Sequence, residues 1–300
     1  MKLTTLILST AVILGSTVCI AQQKQLPVQV TVNNAPNVYK PETVAVRKAI
    51  RIHNQHGYFS LCALLKKPDA KLQQERKLQL DCGNYGFSAH VSFLTLTVNG
   101  ITDRKLQLKA EDMVAWQDGD KKGGSLLYNF DGAKLRLYFY MRPDSPVIWF
   151  RIVPEKSVTP YKSIRLDLNC IISSILKKNG KVVFQGGYQR KAQTAVRTIN
   201  QADKIHQNVS PDDKYLAFYD LINDGSAKDK GQGPCLIILG NTPVKSAKVG
   251  LTDDWKTTTS IELPLDFKEY SFGLWQPRQG MSNNAFFEKF KKEQSAFTLK

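Results

Sequence analysis

The chain has 300 residues, 42% of them hydrophobic, with 42 basic residues against 26 acidic ones and a formal net charge of +16. That length suits one large domain or two small ones, and it can build a core without disulfide staples. Past the first twenty-one residues no stretch reaches the ~20 apolar residues of a spanning helix, so no membrane span is expected there; a membrane anchor at the N-terminus is the alternative to a cleaved leader.

The charge is evenly spread. Residues 1–150 hold 19 basic and 11 acidic groups, and residues 151–300 hold 23 and 15, so each half carries +8 and there is no basic tail.

At the N-terminus, Lys2 precedes a mostly apolar run from Leu3 to Gly15, and Cys19 and Ala21 put small residues at the −3 and −1 positions of a cleavage site. This is the pattern of a secretory signal peptide. Residues 16–18, Ser-Thr-Val, lack the leucine and the small residue that lipid attachment at Cys19 would want. The expected mature chain is residues 22–300, read as a single domain, secreted or periplasmic. An exported basic protein meets acidic glycan or an anionic envelope surface rather than nucleic acid. Four cysteines then remain: Cys62, Cys82, Cys170 and Cys235. They permit three disulfide pairings, of which Cys62 with Cys82 is the most local. Four buried thiols are the alternative, since cysteine packs as a small hydrophobe.

In chain order, short strands alternate with turn signals, the all-β pattern. Strands are expected at Val28–Val32, Val44–Ile52 and Tyr58–Leu65, and "FLTLTV" then runs into Asn99-Gly100. Asp131-Gly132 separates "SLLYNF" from "AKLRLYFYM", and Asn179-Gly180 separates "IISSILKK" from "KVVF". These dipeptides suit type I′ hairpins, whose central residues both need positive φ. Further strands follow at Tyr215–Ile222, Cys235–Leu239 and Tyr270–Gln276, with Asn223–Pro234 as a surface loop. A C-terminal helix starts at Ser282 or Asn283 as N-cap. Phe286, Phe290 and Phe297 form its apolar stripe, and Lys289, Lys291 and Lys292 sit near its end, where the helix dipole favours cations.

The stretch "LRLYFYMRPDSPVIWFRIV", Leu135 to Val153, carries the most information. Alternation puts Leu135, Leu137, Phe139 and Met141 on one face of its first strand, and Ile148, Phe150 and Ile152 on one face of its second. A four-residue loop from Pro143 to Pro146 pairs Tyr140 with Trp149, Tyr138 with Arg151 and Phe139 with Phe150. The apolar faces then coincide, which selects this register. The opposite face collects Arg136, Tyr138, Tyr140, Trp149 and Arg151. Aromatic rings offer flat surfaces to sugar C–H faces, and arginine offers planar paired donors to carboxylate or sulfate. The same composition also suits a second packing layer, because cation–π and aromatic pairs stabilise sheets on their own account.

"LRLYFYMRPDSPVIWFRIVPE", followed by "LPLDFKEYSFGLWQP" near the C-terminus, resembles the strand organisation of galactose mutarotase-like β-supersandwich domains. The resemblance extends over most of residues 25–280 and rests on strand rhythm and a few aromatic positions. It implies a large antiparallel sandwich with a sugar-facing sheet, as in aldose epimerases, polysaccharide lyases and glycoside hydrolases. It transfers no catalytic residue.

Catalytic signals are sparse. His53 and His56, three apart, lie on opposite faces of a strand unless the chain turns at Asn54-Gln55, and no cysteine or carboxylate cluster stands nearby. No metal site is therefore expected. His90 lies on a strand pattern and has the type of a general base, although a satisfied core histidine fits it better. Tyr188 and Arg190 in "QGGYQRKAQ" have the types of a lyase base and charge neutraliser, beside the plainer reading of a strand start after a glycine bulge. There is no paired-carboxylate signal, nucleophile elbow, phosphate loop, dinucleotide fingerprint or CxxC, and no cofactor is implied. The sequence thus points to an all-β antiparallel sandwich with a short C-terminal helix. It points to an exported carbohydrate-binding protein for acidic polysaccharide. An epimerase- or lyase-like enzyme and a structural envelope protein are the alternatives.

Overall fold

The computed structural model describes residues 27–35, 44–66, 78–81, 93–106, 108–172, 175–178, 181–184, 190–201, 206–220, 234–251, 256–277 and 281–299. The signal segment, Cys82, His90, Tyr188, the dipeptide Asn179-Gly180 and nearly all of the 223–234 loop lie outside them.

The described chain is antiparallel β-structure with one helix near its C-terminus. The strands are β1 (Gln29–Ala35), β2 (Val44–Asn54), β3 (Gly57–Lys66), β4 (Leu78–Asp81), β5 (Leu94–Val98), β6 (Ile101–Thr102), β7 (Met113–Asp118), β8 (Lys121–Phe130), β9 (Ala133–Met141), β10 (Ile148–Pro154) and β11 (Ile164–Cys170). They continue with β12 (Ile175–Lys178), β13 (Lys181–Phe184), β14 (Arg190–Gln193), β15 (Thr198–Asn200), β16 (Gln207–Asn208), β17 (Tyr215–Asp220), β18 (Cys235–Ile238), β19 (Ser246–Gly250), β20 (Thr257–Glu262) and β21 (Tyr270–Trp275). Nine strands form the main sheet in the order β15-β14-β17-β18-β21-β10-β9-β8-β7. Six form a second sheet, β16-β19-β20-β11-β5-β6, and four a third, β1-β2-β3-β4. Strands β12 and β13 pair as a separate hairpin, with Lys178 opposite Lys181.

The turn chemistry explains the tight hairpins. Asp131 and Gly132 have φ of 52° and 90°, and Phe130 pairs with Ala133, a two-residue connection between β8 and β9. A side chain at Gly132 would stand 2.5 Å from the Thr159 hydroxyl as well as in the left-handed region, so only glycine fits there. Asn99 and Gly100, with φ of 52° and 78°, connect β5 to β6 in the same way.

One continuous apolar cluster joins the three large sheets. The main sheet contributes Leu135, Leu137, Phe139, Phe150, Ile152, Phe218 and Phe272, the six-stranded sheet Leu94, Leu96, Leu166 and Ile261, and the four-stranded sheet Ile50, Ile52, Phe59 and Leu61. Phe150 is its pivot, stacked on Phe272 at 4.9 Å between ring centres and tilted against Phe93 at 5.6 Å. Cys62, Cys170 and Cys235 are all buried. The Cys62 sulfur lies 3.7 Å from the Ser60 hydroxyl, and the Cys170 sulfur 2.8 Å from the Thr257 hydroxyl. The expected Cys62–Cys82 pairing involves a residue outside the described set.

Helix α1 (Asn283–Lys292) begins at Ser282, whose hydroxyl accepts a hydrogen bond from the Ala285 N–H at 3.1 Å. This satisfies one of the unpaired amides of the first turn. Phe286 and Phe290 are buried as the i,i+4 stripe requires. Phe297 joins them from a separate 3₁₀ turn, Gln294–Phe297, after the helix ends.

Away from the sheets' centre, the short 3₁₀ turn Pro211–Asp213 is held by one buried carboxylate. Asp213 accepts paired hydrogen bonds from Arg197 at 3.0 and 2.8 Å and another from the Ser210 amide at 2.8 Å. Burial by itself raises this carboxyl. The hydrogen bonds from Arg197, Ser210 and Thr194 and the charge of Arg197 outweigh burial and hold it at about 2.

Two outcomes test this frame. Phe150→Ala removes a ring with no exposed surface and is expected to lower unfolding free energy by about 3–5 kcal/mol in denaturant melts. Because the folded Asp213 pKa lies below its ordinary value of 3.8, its contribution is fully present above that value and is lost as pH falls from about 4 to about 2. A thermal midpoint followed against pH should therefore drop across that window, and Asp213→Asn should flatten the drop.

Candidate functional site

The β9–β10 hairpin has the register its alternation demands. Tyr140 pairs with Trp149, Phe139 with Phe150, Tyr138 with Arg151 and Leu137 with Ile152. Arg136, Tyr138, Tyr140, Trp149 and Arg151 accordingly share the face of the main sheet turned away from the large core.

That face is divided. Its end toward the β9–β10 loop lies under α1 and the 3₁₀ turn after it. Trp149 is 1% exposed and Tyr140 is 5% exposed. Both belong to a second apolar cluster with Val147, Ala217, Leu236, Ile238, Trp275, Phe286, Phe290 and Phe297. Trp275 stacks on Phe286 at 4.8 Å with the planes 11° apart. Trp149 sits over its cross-strand partner Gly273, where a β-carbon would stand 2.8 Å from the indole. Trp149 and Tyr140 are thus a second core rather than an open platform. The reason is the amphipathic C-terminal helix, whose phenylalanine stripe needs an apolar surface.

A polar clamp holds that cover in place. Arg142 is buried, and its guanidinium donates to the carbonyls of Thr298 at 3.1 Å and Ala296 at 3.3 Å. It also pairs with Asp144 at 3.2 Å and lies 5.0 Å from the Trp149 ring centre. The Ser145 hydroxyl donates to Ala296 O at 2.5 Å. From the other side, the buried Asn54 amide donates to the carbonyls of Arg142 at 2.7 Å and Ser145 at 2.8 Å. Arg142, one residue past β9, is thus a buttress for the C-terminal segment.

The other half of the face is open. Arg136, Tyr138 and Arg151 are half-buried, and they are joined by Trp116 from β7, also half-buried. Trp116 lies 5.1 Å from Tyr138 and 5.5 Å from Tyr140 between ring centres. The Arg151 guanidinium stacks over Tyr138 at 4.7 Å and lies 5.4 Å from Trp116. Among the described residues its one ion pair is a loose 3.9 Å contact with the exposed Glu269, and its Nε has no hydrogen bond. Arg136 differs. Its Nε donates to Glu155 at 2.5 Å and its Nη1 reaches the Ser125 hydroxyl at 3.5 Å, so its charge is already matched. The Lys121 ammonium stands 5.9 Å from the Tyr140 ring centre. Burial pushes the Tyr140 hydroxyl above its ordinary pKa, with Arg151 and Arg142 pulling the other way.

Trp116 escaped the sequence reading because β7 lies two strands from β9 and three from β10 in the sheet. The alternation Val114, Trp116, Asp118 within "MVAWQD" is the signal that holds it. The chain does turn after Asn54, and His53 and His56 are both exposed beside one open groove. Arg190 is 1% exposed and donates to the carbonyls of Leu251 at 3.4 Å and Lys256 at 3.2 Å. Among the described residues, no group of three or more His, Cys, Asp or Glu is placed to hold a metal ion, and no helix is long and apolar enough to cross a membrane.

No protein-family model and no curated protein matches the sequence. Among solved structures, the chain is similar to the α-N-acetylgalactosaminidase NagBb from Bifidobacterium bifidum in complex with GalNAc, at 9% identity and a TM-score of 0.46. That match covers 90% of this chain and 38% of the glycosidase, so this chain spans well under half of its neighbour's length. It is also similar to a putative aldose 1-epimerase from Klebsiella pneumoniae subsp. pneumoniae, at 8% identity and a TM-score of 0.41 over 90% of this chain and 96% of that one. A TPR-domain containing protein from Parabacteroides distasonis matches at 10% identity and a TM-score of 0.41, over 84% of this chain and 54% of that one. Values this low transfer no residue and no activity.

Because Trp149 is sealed under α1, Trp149→Ala should act on stability. The expected loss is about 3–5 kcal/mol, read as a lowered denaturant midpoint with a weakened near-UV tryptophan signal.

Proposed function

We propose that this chain is an exported glycan-binding protein whose open sheet face, centred on Trp116, Tyr138 and Arg151, takes an acidic polysaccharide. The observation that carries this reading is the state of Arg151. Its guanidinium lies over the Tyr138 ring, close to Trp116, and among the described residues has only a loose, exposed counter-charge. Holding a planar cation in place by stacking limits the rotamer freedom lost when an anion arrives. A carboxylate or sulfate can then receive paired N–H donors, while the rings of Trp116 and Tyr138 offer apolar surface to the sugar.

The excess of basic residues supports an anionic partner through long-range attraction. The N-terminal signal pattern supports export. Arg136 is a supporting residue in this scheme, since Glu155 already neutralises it. A lyase-type reaction finds less support. The guanidinium of Arg190, the candidate neutraliser of a uronate carboxylate, is committed to backbone carbonyls in the interior.

Affinity electrophoresis or calorimetry with polygalacturonate and with a neutral β-glucan tests the reading. Trp116→Ala is expected to weaken binding to both, by removing the flat surface. Arg151→Gln is expected to weaken binding to polygalacturonate at least about tenfold, on the scale of a lost charged hydrogen bond, and to spare the neutral polymer. Added salt should weaken the acidic interaction, since exposed charges are screened over ~8 Å at physiological ionic strength. Unchanged polygalacturonate binding by both variants would rule this face out.

A further inference from the structure

Two open grooves continue from the Trp116 face around the edge of the sandwich. The first, about 570 Å³, lies between β1 and the β7–β8 edge of the main sheet. Val30 and Ala115 give it apolar surface, Gln29, Gln117 and Lys122 give it polar groups, and Trp116 lines it as well. The second, about 390 Å³, is formed by Gln29 with the β2–β3 turn, including His53, Gln55 and His56. Gln29 lines both, and it is the cross-strand partner of His53. Both volumes fall within the range of small-molecule sites, roughly 300–1,000 Å³.

The chemistry of the linings is consistent along the path. Neither groove is lined by a carboxylate among the described residues. Side-chain amides, which both donate and accept, suit hydroxyl-rich ligands. Lys122 is half-buried and lines the first groove. Trp116 belongs to both the stacked Tyr138–Arg151 cluster and the groove wall.

We infer that the ligand is an extended acidic oligosaccharide, bound from the Arg151 face across Trp116 into the β1–β7 groove, with Lys122 meeting a second acidic sugar and Gln29 passing the chain on toward His53. The inference rests on the glycan reading above and adds to it the length of the ligand and the direction in which it runs. Neither the hairpin nor its aromatic–basic face points to this path. It is created where the four-stranded sheet meets the edge of the nine-stranded one.

The test is calorimetry with a size series of oligogalacturonates from the disaccharide upward, using the full mature chain. Wild-type affinity is expected to climb with length beyond the disaccharide. Lys122→Gln should lower affinity for the longer oligomers about tenfold while leaving the disaccharide unchanged. Arg151→Gln should lower it at every length. Gln29→Ala, at an exposed position, should also reduce the gain with length, and it serves if Lys122→Gln alters the unfolding midpoint. Affinity that is flat with length, or groove variants that match wild type throughout, would overturn the groove while leaving the face intact. No binding of any oligomer to the wild-type chain would overturn both.

Discussion

The structure depends on the register between β9 and β10. Both faces of this hairpin are used, so a slip of one residue would exchange every side chain between two different environments. One face, with Phe139 against Phe150 and Leu137 against Ile152, sits at the centre of the core shared by three sheets. The other carries Tyr140 and Trp149 into a second core beneath the C-terminal helix. Most antiparallel strands leave one face to solvent and tolerate more ambiguity. Here the two buried faces differ in shape and polarity, which selects a single pairing.

The loop that closes this hairpin, and not the strands alone, sets the position of the C-terminal segment. Pro143 to Pro146 brings Arg142 and Ser145 to the last carbonyls of the chain, and Asn54 holds the same loop from the side of the four-stranded sheet. Buried polar groups cost free energy unless paired. The helix therefore docks where Arg142 and Ser145 find Ala296 and Thr298 as well as where Phe286 and Phe290 find Trp275 and Tyr215. The apolar stripe supplies attraction without direction, and the hydrogen bonds supply the seat.

The helix also decides which part of an aromatic surface stays open. Its rings pack on Tyr215, Tyr219 and Trp275 and close over the loop end of β9 and β10, where Tyr140 and Trp149 pair, but not over the next pair along these strands. Tyr138 and Arg151 stay open to partners while Tyr140 and Trp149 do not, although all four alternate on the same face. At the open end Trp116 arrives from β7 and completes the cluster. Arg151 keeps its charge in reserve because its neighbours are rings and one distant carboxylate, whereas Arg136 meets Glu155 directly.

Much of this was legible in the amino-acid order. Period-two alternation and the Asp131-Gly132 and Asn99-Gly100 turns determine an all-β antiparallel chain, because strand periodicity and positive φ are local properties. The four-residue loop and matching apolar faces determine the β9–β10 pairing for the same reason. Ser282 as cap and the Phe286–Phe290 spacing determine the helix. What local pattern does not contain is the surface against which each element comes to rest. Whether Trp149 is platform or core depends on a helix more than 130 residues away in the sequence. Trp116 joins Tyr138 only through the order of strands in the sheet, and Gln29 and Lys122 come to line one groove only where two sheets abut. Arg142 and Arg151 look alike in the sequence, each an arginine among aromatics. Only tertiary packing makes one a buried buttress and the other a partly open cation, because a charge's role follows from the partners and solvent around it.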